Sequence, residues 1–194
     1  VFTAPLPKPP SQIDRLVDYR HEAQPIDERA RSYLHANCSH CHRKWGGGNA
    51  RFQLLATLDL GDTGTLNVRP NQGTFGMASA KVLAAGDPYR SVMFFRMSKL
   101  GSGRMPRIGS SLIDPVGTQL IKDWIATLPA ASPDSHVAEA RGATAVALKK
   151  LRASGTPTGR ATQITALLQS TSGAIRLLQA ANSNQLNPAT RLQV

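Results

Sequence analysis

The feature that most constrains what this chain can fold into is the run Cys38-Ser39-His40-Cys41-His42, which contains the only two cysteines among 194 residues. A disulfide between residues three apart closes almost no loop, so it would stabilise the folded chain very little. We therefore interpret the two thiols as a pair that binds one shared ligand. The histidine directly after the second thiol is placed to bind the same ligand.

The spacing of this motif suits a covalently attached haem. Two thiols three residues apart can form thioethers with the two vinyl groups of a haem, and His42 can then reach the iron from the same side. A thioredoxin-like redox pair would need a βαβ context, which the sequence lacks. A zinc ion would need two further ligands, and His35 and His40 would strain a tetrahedral geometry. We predict one haem c, bound through Cys38 and Cys41, with His42 on the iron.

The second axial position of the iron is predicted to belong to Met105. The loop that holds Met105 is rich in glycine and continues into Pro106, so it can present a thioether rigidly. Met77 lies in another loop and is the main alternative. Met93 and Met97 are four residues apart on a predicted helix, where methionines usually pack in the core. The remaining candidates are His21, His35, His40 and His136.

Capping signals and apolar periodicity predict an all-α fold. Asp27 is predicted as the N-cap of a helix that runs into Cys38. Asp87 with Pro88 predicts the start of another helix, which ends near Gly101. Asp114 with Pro115 opens a further helix before Pro129, with an apolar stripe made by Val116, Leu120, Trp124 and Leu128.

Composition divides the chain into three parts. Residues 1–26 are rich in proline and are predicted as an extended lead-in. Residues 27–130 contain the motif and the capped helices. Residues 131–194 are rich in alanine, serine, threonine and glutamine and are predicted as a helical extension, with helices at about 136–153, 159–169 and 172–182. Also predicted are a short helix over Ser79–Ala85 and a short strand or extended loop over Phe52–Leu60.

Residues 27–130 resemble class I cytochrome c. The resemblance rests on the helix that leads into the motif, the loop Gly103-Arg104-Met105-Pro106, and the helix that carries Ile121-Lys122-Asp123-Trp124-Ile125. The runs 33–38, 86–88 and 97–101 are also similar to cytochrome c domains of large periplasmic haem proteins of planctomycete type. Those domains are often fused to dehydrogenase-like or propeller domains. The resemblance implies a class I cytochrome c fold, here with an added loop over about 46–76 and a C-terminal helical extension.

The resemblance also implies that the first and last helices of the domain cross beside the haem. Such a crossing would bring Leu34 or Tyr33 against Leu120 and Trp124. A thin set of aromatic residues, 5% of the chain, is consistent with a core that includes the large apolar body of a haem.

The segment after the motif departs from the family. Class I members commonly have a proline shortly after the haem histidine, and its carbonyl orients the imidazole. This chain has Arg43-Lys44-Trp45 followed by three glycines, so a different backbone carbonyl is expected to orient His42. Trp45 is counted among the predicted cofactor-binding residues.

Three arginines are candidates for pairing with the haem propionates, because a guanidinium group binds a carboxylate in a bidentate way. They are Arg104, Arg107 and Arg69. The alternative for each is a solvated surface side chain.

The predicted function is one-electron transfer, without an enzymatic activity of this domain, because His42 and Met105 together would occupy both axial positions of the iron. The alternative is a haem peroxidase or a ligand-binding haem sensor with a labile sixth ligand. An excess of 23 basic over 12 acidic residues gives a formal charge of +11, which favours an acidic redox partner or a fused redox domain. No basic run is interleaved with aromatic residues, so nucleic acid is not an expected partner.

The sequence also bears on location. Its longest apolar runs, such as residues 143–148, are far shorter than the roughly 18 residues that a membrane crossing needs, so no transmembrane segment is predicted. The chain begins at Val1 without a signal-peptide pattern and is interpreted as a processed protein or an excised piece of a longer one. Covalent haem attachment implies a periplasmic or otherwise exported protein.

Overall fold

The fold is all-α in the part of the chain that the computed structural model describes, residues 5–130 and 135–194. Seven α-helices and no β-strand occur in these two ranges. Residues 1–4 of the predicted lead-in and residues 131–134 of the predicted extension lie outside the described residues. The helices are α1 (Ile26–Cys38), α2 (Val92–Met97), α3 (Pro115–Thr127), α4 (Ser135–Ala153), α5 (Pro157–Leu168), α6 (Thr171–Asn182) and α7 (Pro188–Arg191). None of these described helices has both the length and the apolar character needed to cross a bilayer.

Helix α1 leads directly into the motif, as predicted, and ends at Cys38. Its N-cap is Pro25, so the prediction of Asp27 as the N-cap is wrong. Asp27 lies in the first turn, where its carboxylate interacts favourably with the positive end of the helix dipole. Its Oδ1 accepts a hydrogen bond from the indole Nε1–H of Trp124 at 2.8 Å, and this contact ties α1 to α3.

Helix α3 begins at the predicted place. The Asp114 carboxylate accepts hydrogen bonds from the backbone N–H groups of Val116 and Gly117, both at 3.0 Å. Leu120 and Trp124 of the predicted stripe are buried, but Val116 is 48% exposed and does not belong to it. The buried face of α3 follows the helical period instead, through Gly117, Thr118, Leu120, Ile121, Trp124 and Ile125.

Helices α1 and α3 pack directly against each other. The two helices meet at Gly117, where an added Cβ would overlap the ring of Tyr33. Leu34 and Trp124 lie in the same apolar core. Only glycine at position 117 lets the Tyr33 ring rest on the backbone of α3.

The segment between α1 and α2 is irregular, and the predicted helix over Ser79–Ala85 does not form. The N–H of Val82 donates to the carbonyl of Val68 at 2.8 Å, and the N–H of Leu83 donates to the carbonyl of Thr65 at 3.1 Å. These hydrogen bonds between distant residues hold the backbone extended, so its groups are not available for a local helix.

The region predicted as an added loop, about 46–76, contains neither an α-helix nor a β-strand. No strand forms over Phe52–Leu60: residues 52–55 are irregular, residues 56–58 turn, and Leu60 begins a 3-10 helix, Leu60–Thr63.

Asp87 caps a short 3-10 helix, Pro88–Arg90, and not the long helix that was predicted to end near Gly101. Ser91 interrupts the helix because its backbone is extended, and its Oγ–H donates to the carbonyl of Asp87 at 3.0 Å. Helix α2 then begins separately and has only six residues. The glycine-rich loop after it, predicted from Gly101 to Ser111, is observed as a loop.

Residues 135–194, the C-terminal unit, fold into helices close to those predicted, with α7 in addition. The unit has an apolar core of its own, formed by Leu151, Ile164, Leu167, Leu177, Ala180 and Leu186. Ile175 of α6 points the other way and packs into the main core with α1, α2 and α3. The unit is therefore joined to residues 27–130 by side-chain packing as well as by the chain.

Candidate functional site

The motif forms a compact turn that continues α1. The N–H of Cys41 and the N–H of His42 both donate to the carbonyl of Cys38, at 3.2 and 2.9 Å. Both cysteines are half-buried, and they do not form a disulfide with each other. The turn therefore presents two unpaired thiols and one imidazole within a single turn of backbone.

The thiol of Cys38 is in an apolar environment. Burial, followed by the nearby Cys41, raises the pKa of Cys38 to about 12. A reactive redox pair needs a lowered thiol pKa, so this environment does not suit a thioredoxin-like site.

The zinc alternative also finds no support. Among the described residues no three side chains of His, Cys, Asp and Glu come together in a group that could hold a metal ion. His35, one of the two extra ligands considered, uses its Nδ1 to accept a hydrogen bond from the N–H of Ala56 at 3.0 Å.

The imidazole of His42 is held by an aromatic neighbour. Its ring stacks on that of Phe52, with centroids 4.6 Å apart and an interplanar angle of 7°. Burial, followed by the charge of Arg96 and by His40, lowers the pKa of His42. The ring is therefore neutral at pH 7, which is the form that binds metal ions.

The Nδ1 atom of His42 is buried and has no hydrogen-bond partner. The sequence led us to expect a backbone carbonyl that orients this ring, and that expectation is wrong for the described residues. The neighbouring carbonyls have other donors: that of His42 itself accepts the N–H of Leu54 at 2.8 Å, and that of Cys41 accepts the N–H of Gly48 at 3.0 Å. Because Nδ1 is enclosed by protein, Nε2 is the nitrogen available to a ligand.

Two of the three glycines after the motif, Gly46 and Gly48, lie directly against it. A Cβ at Gly48 would stand 2.8 Å from the carbonyl oxygen of Cys41 and 3.6 Å from Nδ1 of His42. A Cβ at Gly46 would stand 2.5 Å from the same carbonyl oxygen. This close approach of the backbone explains the glycines at positions 46 and 48, whereas a Cβ at Gly47 would meet no atom within 4 Å. The sequence analysis had used the three glycines only as a sign of a turn.

Met105 lies in the glycine-rich loop, where its side chain is half-buried. Its N–H donates to the carbonyl of Arg96 at 2.9 Å. The guanidinium of Arg104 fastens the same loop, through Nη2 to Ser110 Oγ at 3.1 Å and to the carbonyl of Leu112 at 3.2 Å. The Nε of Arg104 is buried without a partner.

The other methionines are enclosed by apolar side chains. Met77, the main alternative ligand, is 4% exposed and packs with Ala80 and Val92. Met93 and Met97 belong to the main core, as their helical spacing predicted.

Three residues predicted to bind the cofactor, Trp45, Arg69 and Arg107, are exposed. Trp45 is 92% exposed, with Lys44 Nζ 5.6 Å from its ring centroid. Arg69 is exposed, and so is Arg107. The structure assigns none of these three a contact with Cys38, Cys41 or His42, and their roles stay predictions.

Arg96 is the residue near the motif that the sequence analysis missed. Its guanidinium donates to the carbonyls of Gly103 and Gln72, both at 3.2 Å, and lies 4.7 Å from the ring centroid of Phe75. Its charge acts on His42, while its own backbone carbonyl binds Met105. Arg96 therefore joins the loop of Met105 to the segment that carries Gln72 and Phe75.

Cys38, Cys41 and His42 form one turn, and Arg96, whose charge contributes to the lowered pKa of His42, binds the loop of Met105 through its backbone carbonyl. Comparison with protein-family models, with curated proteins and with solved structures gives no match to this chain.

Proposed function

We propose that this protein is an electron-transfer c-type cytochrome. One haem c is attached through Cys38 and Cys41, with His42 and Met105 as the axial ligands of its iron. Residues 27–130 adopt the class I cytochrome c fold in this proposal. The protein is exported and exchanges electrons with an acidic redox partner or with a fused redox domain.

One observation carries the proposal. The turn Cys38–His42 offers two unpaired thiols and, one residue later, a neutral imidazole whose Nδ1 is buried. This donor set fits a covalently attached haem and fits neither a zinc ion nor a thioredoxin-like redox pair. The residues present are therefore those that the group requires.

Each side chain has a distinct role. His42 binds through Nε2 because Nδ1 is enclosed, and Phe52 holds the imidazole by stacking. Met105 supplies a thioether from a loop that Arg104 fastens at Ser110 and Leu112. The haem, when bound, would supply one-electron exchange at its iron, which His42 and Met105 would hold.

The arginines supply positive charge near the two loops. Arg96 is half-buried, and burial, followed by the charge of Arg107, lowers its pKa. No carboxylate of the described residues forms an ion pair with Arg96. We therefore add Arg96 to Arg104, Arg107 and Arg69 as candidates for the haem propionates.

The charge of the chain favours an acidic partner. A formal charge of +11 raises the encounter rate with an acidic surface, and salt screens this attraction. The rate of electron transfer to an acidic acceptor is therefore expected to fall as the ionic strength rises.

The experiment is a visible spectrum of the purified protein, oxidised and then reduced with dithionite. We expect sharp low-spin reduced bands and a weak sulfur-to-iron band at the red end of the oxidised spectrum. Met105→Ala should lose the red band, and Met77→Leu, the matched control in the buried cluster, should keep it. A red band that survives in Met105→Ala but disappears in Met77→Leu would move the ligand to Met77.

Three further outcomes would contradict the proposal. A wild-type spectrum that is already high-spin would favour a peroxidase or a haem sensor with a labile sixth ligand. Carbon monoxide binding to the reduced wild type at neutral pH would do the same. Absence of covalent haem after acid–acetone extraction would remove the proposal altogether.

A further inference from the structure

The C-terminal unit contacts the loops around the candidate site through the first turn of α6. The Oγ1–H of Thr171 donates to the carbonyl of Phe75 at 2.6 Å. The Oγ–H of Ser172 donates to the carbonyl of Tyr89 at 2.7 Å. One turn further, Ile175 packs into the main core. The contact therefore combines two hydrogen bonds with an apolar anchor.

Phe75 has a backbone that needs such support. Its φ angle is +53°, in the left-handed region that residues other than glycine rarely adopt. Gly76 follows with φ +73°, and a Cβ there would stand 3.2 Å from Oγ1 of Thr171. Thr171 therefore contacts this turn at its two residues with positive φ angles, Phe75 and Gly76.

The side chain of Phe75 reaches the loop of Met105. A Cβ at Gly103 would stand 3.0 Å from the Phe75 ring, so the ring lies against the backbone of that loop. The Phe75 ring also packs on Phe95, with centroids 4.8 Å apart. Phe75 thus fills the space between α2 and the loop.

Arg96 completes the connection. It donates to Gln72 on one side and to Gly103 on the other, while its guanidinium covers the Phe75 ring. Its carbonyl accepts the N–H of Met105. A continuous series of contacts therefore runs from α6 to the backbone of the predicted methionine ligand.

We propose that the C-terminal unit holds the Met105 loop in place through Thr171, Phe75 and Arg96, and that Thr171 is a positioning residue for the methionine ligand. Release of the Phe75 turn lets the loop open, so that an external ligand displaces Met105 more easily. This inference rests on the proposed function, because it takes Met105 to be the axial ligand. It gives the extension a role at the iron site.

The test uses the full chain with its haem and measures the affinity of the oxidised protein for imidazole, which competes with Met105. Thr171→Val removes the hydroxyl donor and keeps the shape of the side chain. Loss of one hydrogen bond, about 1 kcal/mol, corresponds to an affinity increase of about fivefold. Thr171→Ser, which keeps the donor, should bind imidazole as the wild type does.

Thr162→Val is the matched control. Thr162 is an exposed residue of the same unit, and its Oγ1–H bonds only to the carbonyl of Thr158, at 3.0 Å on its own helix. We expect no change in imidazole affinity for this variant. A second readout is amide hydrogen exchange, in which residues 101–111 should exchange faster in Thr171→Val while α1 keeps its protection.

The outcomes separate this inference from the proposed function. A wild type with methionine ligation, combined with unchanged imidazole affinity and unchanged exchange in Thr171→Val, overturns the inference alone. Equal effects of Thr171→Val and Thr162→Val overturn it as well, because they indicate a general loosening of the unit. A wild type without methionine ligation overturns the inference together with the ligand assignment.

Discussion

The imidazole of His42 lies parallel to the ring of Phe52, with the two centroids 4.6 Å apart. The same imidazole has its Nδ1 buried without a hydrogen-bond partner. The orientation of the ring therefore depends on an apolar contact rather than on a hydrogen bond. Burial is also the main reason why the pKa of His42 is lowered.

The first prediction concerns acid stability. Since the pKa of His42 is held below its ordinary value of 6.5, the unfolded chain binds more protons than the folded protein between the lowered pKa and 6.5. The contribution of His42 to the free energy of unfolding is fully present above pH 6.5 and is lost as the pH falls toward the lowered pKa. In the proposed cytochrome, binding of iron by the same ring would act in the same direction. Urea unfolding at a series of pH values between 7.5 and 4 measures this loss.

Variants of Phe52 test whether its stacking on the imidazole keeps the pKa of His42 low. Phe52→Ala exposes the imidazole to water, so the pKa of His42 should rise toward 6.5 and the low-spin spectrum should disappear at a higher pH. Phe52→Leu keeps an apolar cover and should shift the midpoint less. Identical acid midpoints for the two variants and the wild type would show that the stacking does not protect His42.

The second prediction concerns Asp87, whose side chain is 2% exposed and lies 3.0 Å from Nε of Arg90. Removing one partner of a buried ion pair leaves the other charge without compensation. Asp87→Ala should lower the free energy of unfolding by about 3 kcal/mol. Arg141, the more exposed partner at 3.7 Å, serves as the control, and Arg141→Ala should cost less than about 1 kcal/mol. Urea unfolding followed by circular dichroism compares the two variants. Equal losses in the free energy of unfolding would contradict the prediction that the buried carboxylate of Asp87 matters more than its exposed partner Arg141.

The third prediction uses two helical glycines. Gly117→Ala forces a methyl group into the ring of Tyr33 and should destabilise the protein by about 1–3 kcal/mol. Gly142→Ala, in α4, meets no atom within 4 Å and should stabilise it by up to about 1 kcal/mol, because alanine is the better helix former. Thermal unfolding of both variants gives the sign of each effect. A neutral Gly117→Ala would mean that α1 and α3 can separate without cost.

The fourth prediction concerns the hydrogen bond between Asp27 and Trp124 that joins α1 to α3. Asp27→Ala should destabilise the protein by about 1.5 kcal/mol, since a hydrogen bond to a charged group is lost. Asp123→Ala is the control, because Asp123 is exposed and bonds only to Gln119 on its own helix. This variant should lower the free energy of unfolding by about 0.3 kcal/mol. Urea midpoints that do not differ between these two variants would contradict the prediction.

The sequence predicted the elements whose signals are local. Helix α3 has its cap at Asp114, and α1 runs into Cys38, because capping residues and apolar periodicity act within one helix. The error at Ser79–Ala85 has a different origin. Those residues bond to residues 65–68 and 90–92, and a contact between distant segments leaves no local signal.

The same distinction applies to the candidate site. Cys38, Cys41 and His42 are found by spacing alone, because the chemistry needs them in one turn. Arg96 was missed because only the folding of α2 brings it near His42. Phe52 was named only as the start of a weak strand, although an aromatic residue ten positions after the motif is a usable signal. The glycines at positions 46 and 48 could have indicated a close backbone approach as well as a turn.

The contact between Tyr33 and Gly117 has a consequence for how this protein can change over generations. While the tyrosine ring is present, any side chain at position 117 pushes α1 and α3 apart. Replacement of Tyr33 by a smaller residue removes this clash, so that position 117 can then accept a side chain at a lower cost in stability. The order of the two mutations therefore decides whether the intermediate protein carries the clash, and the tyrosine ring favours retention of the glycine.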